Sequence, residues 1–287
     1  MELKKSSDIK NEARKRLLSC WAESVSMLFI NAGVTVAAVL SILLVTKFCY
    51  TFGIIDFDID HFISQGSLAF FIVVVALIAL LVFLASPLSY GGNWFYMQAV
   101  MGRKAPASSF FNCYTNKELR KRVFTLQFHV SLRKFLMFIP VCLLIIAELL
   151  AAEHILVNTK DSFIYSVIIC CFVLVSAGAV FGYTLATMRY ALVKYIYALN
   201  PEKPPQLIIR ESIRCMAGNE SYILEVFMSM GLWIASCILM FPAVYAVPYI
   251  KMVSAVTAKE LIEYNGDIKI EKKRLGQGMI KEENTFV

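Results

Sequence analysis

The chain has 287 residues, of which 59% are apolar and 17% charged, with a mean hydropathy of +0.66. Soluble domains are usually about 45–50% apolar and about 25% charged, so this composition excludes an ordinary soluble enzyme. The 21 phenylalanines and 13 tyrosines supply far more apolar surface than a disordered chain carries. Composition therefore favours an integral membrane protein.

Six apolar runs are long enough to cross a bilayer, whose roughly 30 Å hydrocarbon core needs about 20 residues of helix. In chain order they are residues 27–46, 67–88, 135–151, 163–188, 222–241 and 242–261. The sequence therefore predicts an all-α, polytopic membrane protein in which residues 1–264 form six transmembrane helices arranged as three hairpins. Residues 265–287 mix Lys, Glu and Gly with little apolar content, which predicts a mobile cytoplasmic tail.

The basic residues predict the orientation of these spans. Of the 28 lysines and arginines, all except Lys47 and Lys160 fall before the first span, in the second or fourth connection, or from Lys251 onward. Basic residues are retained on the cytoplasmic side of a membrane, so both termini are expected in the cytoplasm. The net charge of +7 then reflects the retention of basic residues on the cytoplasmic side of the membrane. Nucleic-acid binding is not expected, because no connection is long enough to form a basic soluble domain.

Basic amphipathic segments precede the first, third and fifth spans. Apolar residues recur at helical spacing beside arginines and lysines around Leu17, around Leu126 and around Ile213. These segments predict interfacial helices that lead into the membrane. Within the spans, Gly178, Gly182 and Ala186 are spaced by four and predict close helix packing, either within one chain or between two copies.

A short helix is predicted in the connection between the fourth and fifth spans. Pro204 and Pro205 predict that it begins at about Gln206, because proline is tolerated in the first turn of a helix. Gly218 and Asn219 predict its end.

Two ionisable residues within the predicted spans are candidates for a functional site. Glu225 lies near the cytoplasmic end of the fifth span and Lys251 near the middle of the sixth, so the two could pair on neighbouring antiparallel helices. A substrate or proton site is one interpretation. A structural ion pair, or a lysine that snorkels to the interface, is the other.

Signatures of catalysis and of metal binding are missing. The sequence holds no phosphate-binding glycine loop, no His-Glu-x-x-His and no Gly-x-Ser-x-Gly, which argues against hydrolases, kinases and metalloenzymes. Asp56, Asp58 and Asp60 alternate as in a calcium loop, but His61 occupies the position that such a loop gives to glycine. No catalytic residue, metal site or cofactor is therefore predicted.

The segment from Tyr190 to Asn219, together with residues further on, resembles a family of bacterial six-span integral membrane proteins that has no assigned reaction. The matching residues are Pro201 after Asn200, Ser212, Gly218, Asn219, Trp233, Pro248 and Tyr249. Arg214 lies in the densest part of this pattern and could be either a lipid anchor or a partner of a carboxylate. The chain is more distantly similar to the membrane domain of some glycerophosphodiester phosphodiesterases, but it carries no catalytic domain of theirs.

These observations predict a non-enzymatic, multi-pass protein of a bacterial plasma membrane, with a structural, partner-binding or envelope-maintenance role. The alternative is a small transporter or permease subunit that uses the interior of the helix bundle. Membrane lipids are the expected partners, and other membrane proteins or a second copy of the chain stay open as further ones.

Overall fold

The computed structural model describes residues 3–51, 86–103, 106–158 and 162–283. Every regular element within these ranges is helical, which confirms the predicted all-α class. A 3₁₀-helix covers Ala107–Phe111. The α-helices are α1 Ser6–Ser19, α2 Trp21–Thr51, α3 Ser86–Val100, α4 Asn112–Thr115, α5 Lys117–Asn158, α6 Ser162–Met188, α7 Val193–Leu199, α8 Pro205–Met216, α9 Glu220–Met228, α10 Gly231–Ser236 and α11 Met240–Glu283.

Three described segments are long and apolar enough to cross a membrane. They are Trp21–Ser41, Lys117–Ala152 and Ser166–Leu199, and they contain or overlap the first, third and fourth predicted spans. Almost none of the residues in their most apolar stretches is buried within the protein. These three helices are compatible with the membrane protein predicted from composition. The second predicted span lies mostly outside the described residues.

The described chain divides into two compact units, one drawn from Met1–Phe124 and Val226–Val287 and the other formed by Thr125–Glu225. In the first unit, α11 contacts α1, α2, α3 and α10, and α3 contacts the 3₁₀-helix and α4. Helix α3 is buried nearly all round. A Cβ added to Gly91 in this helix would lie 2.1 Å from the carbonyl oxygen of Phe110, so only glycine permits this approach of two backbones.

Helix α1 runs antiparallel along the segment that the sequence predicts as the sixth span. Near one end the ammonium of Lys4 lies 3.1 Å from a carboxylate oxygen of Glu260, and at the other the rings of Trp21 and Tyr245 are 5.2 Å apart. Ile9, Ala13 and Leu17 of α1 are buried. Residues 242–261 thus pack against protein along much of their length, because α1 and α3 supply the apolar surroundings that the sequence assigned to lipid.

The segment predicted as the fifth span, residues 222–241, is not one continuous helix. Helix α9 ends at Met228, α10 covers only Gly231–Ser236, and α11 begins at Met240. Ser229 donates a side-chain hydrogen bond of 2.6 Å to the carbonyl of Val226, and Gly231 lies two positions further along the chain. Serine competes for backbone hydrogen bonds and glycine weakens helices, which explains why the apolar run is interrupted here.

Two further predictions concern residues 265–287 and the small-residue stripe of α6. Helix α11 continues to Glu283, so residues 265–283 are helical, and the mobility of the tail stays a prediction. In α6, a Cβ added to Gly178 or Gly182 would meet no described atom within 4 Å, so at these two positions the stripe makes no close contact with the described part of the chain. Packing of the stripe against a second copy stays a prediction.

In the second unit, α6 is followed by α7 and α8, which pack against each other. The connection Asn200–Pro204 carries two prolines, and Pro205 occupies the first turn of α8, as the sequence predicts for a helix that restarts there. Helix α8 is strongly amphipathic. Its buried residues are Ile208, Ile209, Ser212, Cys215 and Met216, and its arginines, Arg210 and Arg214, are exposed.

Candidate functional sites

An aromatic cluster in the first unit joins the start of α2 to α10 and α11. The ring of Trp233 lies 5.4 Å from that of Tyr245 and 5.3 Å from that of Tyr249, and Tyr245 in turn contacts Trp21. The two tyrosines lie one turn apart on α11, with rings stacked at 6.0 Å. The structure thus brings together Trp233 and Tyr249, two of the predicted site residues.

Neighbouring rings of this cluster lie 5.2–6.0 Å apart between centroids, which is a packing distance for aromatic side chains. Tryptophan and tyrosine are the residues enriched at both surfaces of a bilayer, where an apolar ring and a polar edge are both satisfied. Trp21 is the first residue of a candidate span. The cluster is therefore suited to hold the first unit at the membrane surface.

Pro248 lies between the two tyrosines in α11 and is buried. A proline inside a helix removes one backbone hydrogen bond and favours a bend. Trp233 contacts Tyr249, and Pro248 is the residue just before Tyr249 in α11.

An ionic cluster that the sequence did not reveal ties the first residues of the chain to α11. The Lys4 ammonium lies 3.1 Å from carboxylate oxygens of both Glu12 and Glu260, and the Lys4 backbone N–H donates to Glu260 over 3.4 Å. Only 5% of the Glu260 side chain is exposed. The hydrogen bond to Glu260 raises the pKa of Lys4 above its ordinary value, against a smaller lowering by burial.

Ser212 of the predicted set is fully buried and has a structural partner. Its hydroxyl donates a hydrogen bond of 2.8 Å to the carbonyl of Arg189, just beyond the end of α6. A helix end leaves carbonyls without partners in the helix, and this hydroxyl satisfies one of the neighbouring groups. Ser212 therefore fastens α8 to the end of α6.

Gly218 and Asn219 close α8, as the sequence predicts. Gly218 has φ +81°, a left-handed conformation that favours glycine, and its N–H donates to the Glu220 carboxylate over 3.0 Å. The Asn219 side chain donates to the carbonyl of Cys215 over 3.0 Å. Both residues thus have structural roles at the helix end.

Pro201 and Arg214 lie on or near the surface of the α7–α8 pair. Pro201 is half-buried in the connection beside Lys203, whose ammonium is 2.8 Å from a carboxylate oxygen of Glu211 in α8. Arg214 is exposed in the last turn of α8, which fits a lipid anchor better than a buried bidentate site.

Glu225 and Lys251 are both exposed in the structure. Their pairing remains a prediction. The predicted acidic loop with Asp56, Asp58 and Asp60 lies outside the described residues. Within the described residues, no group of three His, Cys, Asp or Glu side chains is placed to hold a metal ion.

A polar contact inside two candidate spans was also missed. The hydroxyl of Ser176 in α6 donates a hydrogen bond to the carboxylate of Glu148 in α5, and both side chains are half-buried. These residues lie within Lys117–Ala152 and Ser166–Leu199, so this carboxylate belongs to a helix that is long and apolar enough to cross a membrane. The available signal was a single acid in an otherwise apolar run from Phe135 to Ala152.

No protein-family profile, no curated protein and no solved structure matches this chain.

Proposed function

We propose that the chain is a multi-pass integral protein of a bacterial plasma membrane, non-enzymatic, with both termini in the cytoplasm and a structural, partner-binding or envelope-maintenance role. This retains the resemblance to the bacterial six-span family as a hypothesis. Cytoplasmic termini are compatible with six spans and equally with four, because removing one hairpin removes two crossings.

The observation that carries this proposal is the exposure of the long apolar helices. In α6, Phe163, Leu174 and Phe181 are more than half exposed, and none of the most apolar stretch of Ser166–Leu199 is buried. Leaving one large apolar side chain in water rather than burying it costs about 1.5–3 kcal/mol. Dozens of such exposed side chains support a lipid environment for these helices.

A structural role is supported by what the polar residues do. Ser212 and Asn219 donate to carbonyls at or beyond helix ends, and Glu260 binds the N-terminal segment. In each case the polar group holds helices in place rather than facing a cleft with other reactive groups.

The alternative, a small transporter, is favoured by one observation, the Glu148–Ser176 contact inside two candidate spans. Ionisable groups at membrane depth commonly line ion pathways. Serine also bonds neighbouring membrane helices at about 0.6–2 kcal/mol per contact, which is the structural interpretation.

One experiment separates the two functions. The purified chain is placed in lipid vesicles, washed at alkaline pH to remove peripheral protein, and assayed for proton and sodium flux and for thermal stability. We expect the chain to float with the vesicles and to give no flux above that of empty vesicles. Glu148→Gln and Ser176→Ala should then lower thermal stability by similar small amounts. Flux that is lost in Glu148→Gln and kept in Ser176→Ala would support the transporter, and release by the wash would contradict both functions.

A further inference from the structure

A short hairpin at the beginning of α11 exposes large apolar side chains that no described element covers. Leu232 in α10 is 89% exposed, and Ile238 in the turn that follows is 87% exposed. Leu239 is 62% exposed. This patch belongs to the first unit and lies outside the three candidate spans.

The chain reverses direction within this patch. Helix α10 ends at Ser236, backbone hydrogen bonds of 3.1 and 3.2 Å close the turn at Cys237 and Ile238, and α11 begins at Met240. Trp233 of α10 then packs on Tyr245 and Tyr249 of α11. The two helices are therefore the arms of a hairpin with Ile238 and Leu239 at its tip.

Trp21 fixes the depth of this hairpin. Its ring lies 5.2 Å from that of Tyr245, and Trp21 begins the candidate span Trp21–Ser41. Helix α1, on the other side of Trp21, is polar and carries Arg14, Lys15 and Arg16, which belong in water or among headgroups. The aromatic contact thus holds Tyr245 at the level where this span enters the bilayer.

The hairpin is too short to cross from there. Leu239 and Tyr245 are six positions apart in the sequence, which corresponds to about 9 Å at a rise of about 1.5 Å per residue. The hydrocarbon core is about 30 Å thick, whereas interfacial apolar segments enter it by about 5–10 Å. The length of the arm matches shallow insertion.

We propose that the α10–α11 hairpin, residues 231–249, is an interfacial wedge whose tip inserts into the cytoplasmic leaflet without crossing the membrane. The occupant of the exposed patch is lipid acyl chain, and the aromatic cluster lies at the headgroup boundary. This proposal rests on the cytoplasmic orientation given above and replaces the predicted fifth and sixth spans by one shallow hairpin.

The test uses the full-length chain with its eight cysteines replaced and one cysteine restored. Ile238→Cys probes the tip, and the substitution should be tolerated because this residue is 87% exposed. Ser162→Cys, at the start of α6, is the control predicted to lie outside, and Lys203→Cys is the control predicted to lie in the cytoplasm. A membrane-impermeant maleimide is added to intact cells, and labelling after detergent unfolding verifies that each thiol is present.

We expect external labelling of the Ser162→Cys chain and none of the other two. The purified Ile238→Cys chain then carries an environment-sensitive fluorophore in vesicles with nitroxide lipids. Quenching should be larger with nitroxides near the headgroup than with nitroxides at the end of the acyl chain.

Three outcomes would overturn the wedge. External labelling of Ile238→Cys would mean that the hairpin crosses the membrane, and strongest quenching by the nitroxide at the end of the acyl chain would mean that the tip inserts deeply. Absence of quenching would mean that solvent, another protein or a second copy surrounds the tip. Absence of labelling in Ser162→Cys, with labelling of Lys203→Cys instead, would contradict the orientation proposed above and is thereby distinguished from failure of the wedge.

Discussion

Helices α6 and α11 have similar apolar runs and opposite environments. The most apolar stretch of α6 has no buried residue, whereas Met252, Val253 and Leu261 of α11 are all fully buried within the first unit. Hydropathy reports that a helix needs apolar surroundings, but lipid and protein satisfy that need equally well. The sequence predicted spans at both places for this reason.

The two helices differ because a polar helix, α1, covers the apolar run of α11 within the first unit. Helix α1 carries charges on most of its surface and a narrow buried stripe, Ile9, Ala13 and Leu17. Such a helix covers α11 with the stripe and presents its charges outward. Within the first unit, α11 is therefore a core helix along this stretch.

The largest expected effect comes from truncating matched leucines in the two helices. Leu261→Ala should lower the free energy of unfolding by about 2–5 kcal/mol, because it leaves a cavity in a packed core. Leu174→Ala, at a side chain 72% exposed toward lipid or detergent, should cost less than about 1 kcal/mol. Denaturant unfolding of both variants in the same detergent checks this, and equal losses would mean that α11 faces lipid as α6 does.

The sequence was sufficient for the helical class and for the long exposed helices, because composition and run length report directly on them. It also marked the end of α8 correctly, since Gly218 and Asn219 are a local signal. It could not reveal the contact between Lys4 and Glu260, which are 256 positions apart. Such pairs depend on tertiary packing, which no local pattern encodes.

The candidate sites divide in the same way. Trp233, Pro248 and Tyr249 were singled out by their resemblance to a family, and the structure places the rings of Trp233 and Tyr249 in one cluster with Tyr245 and Trp21. Glu148 was passed over because one acid near the end of an apolar run looks like the edge of a span. Its partner Ser176 lies 28 positions away on another helix, and no local pattern in the sequence relates the two positions.

A second, smaller effect is expected from glycines in the two regions. In α3, Gly91→Ala would place a Cβ 2.1 Å from the Phe110 carbonyl oxygen, and because that atom belongs to the backbone the strain should cost about 1–3 kcal/mol. In α6, Gly182→Ala meets no described atom within 4 Å and should stabilise the helix by up to about 1 kcal/mol.

Thermal unfolding of these two variants in one detergent gives the comparison. A loss at Gly182 as large as that at Gly91 would show that the small-residue stripe of α6 packs against other residues of this chain or against a second copy, which are the two alternatives that the sequence leaves open.

The smallest expected effect tests whether the ionic cluster helps to hold α1 on α11. Glu260→Gln removes the charge that pairs with Lys4 but keeps the size of the side chain. Because 42% of the Lys4 side chain is exposed and can be hydrated, the loss at neutral pH should be about 1 kcal/mol or less.

The stability that the Lys4–Glu260 ion pair contributes should decrease at alkaline pH. The pKa of Lys4 is raised above 10.5 in the folded state, mainly by its hydrogen bond to Glu260. The ion pair therefore contributes its full stability below pH 10.5, and that contribution is lost as the pH rises through the higher folded pKa.

The difference in melting temperature between the native chain and Glu260→Gln should be constant from neutral pH to about pH 10 and should shrink above it. All titratable groups other than Glu260 are common to both chains, so we expect their contributions to cancel in the difference. A difference that stays constant through this range would mean that Glu260 stabilises α11 through its hydrogen bonds and packing, and that the charge of Lys4 contributes nothing to the contact between α1 and α11.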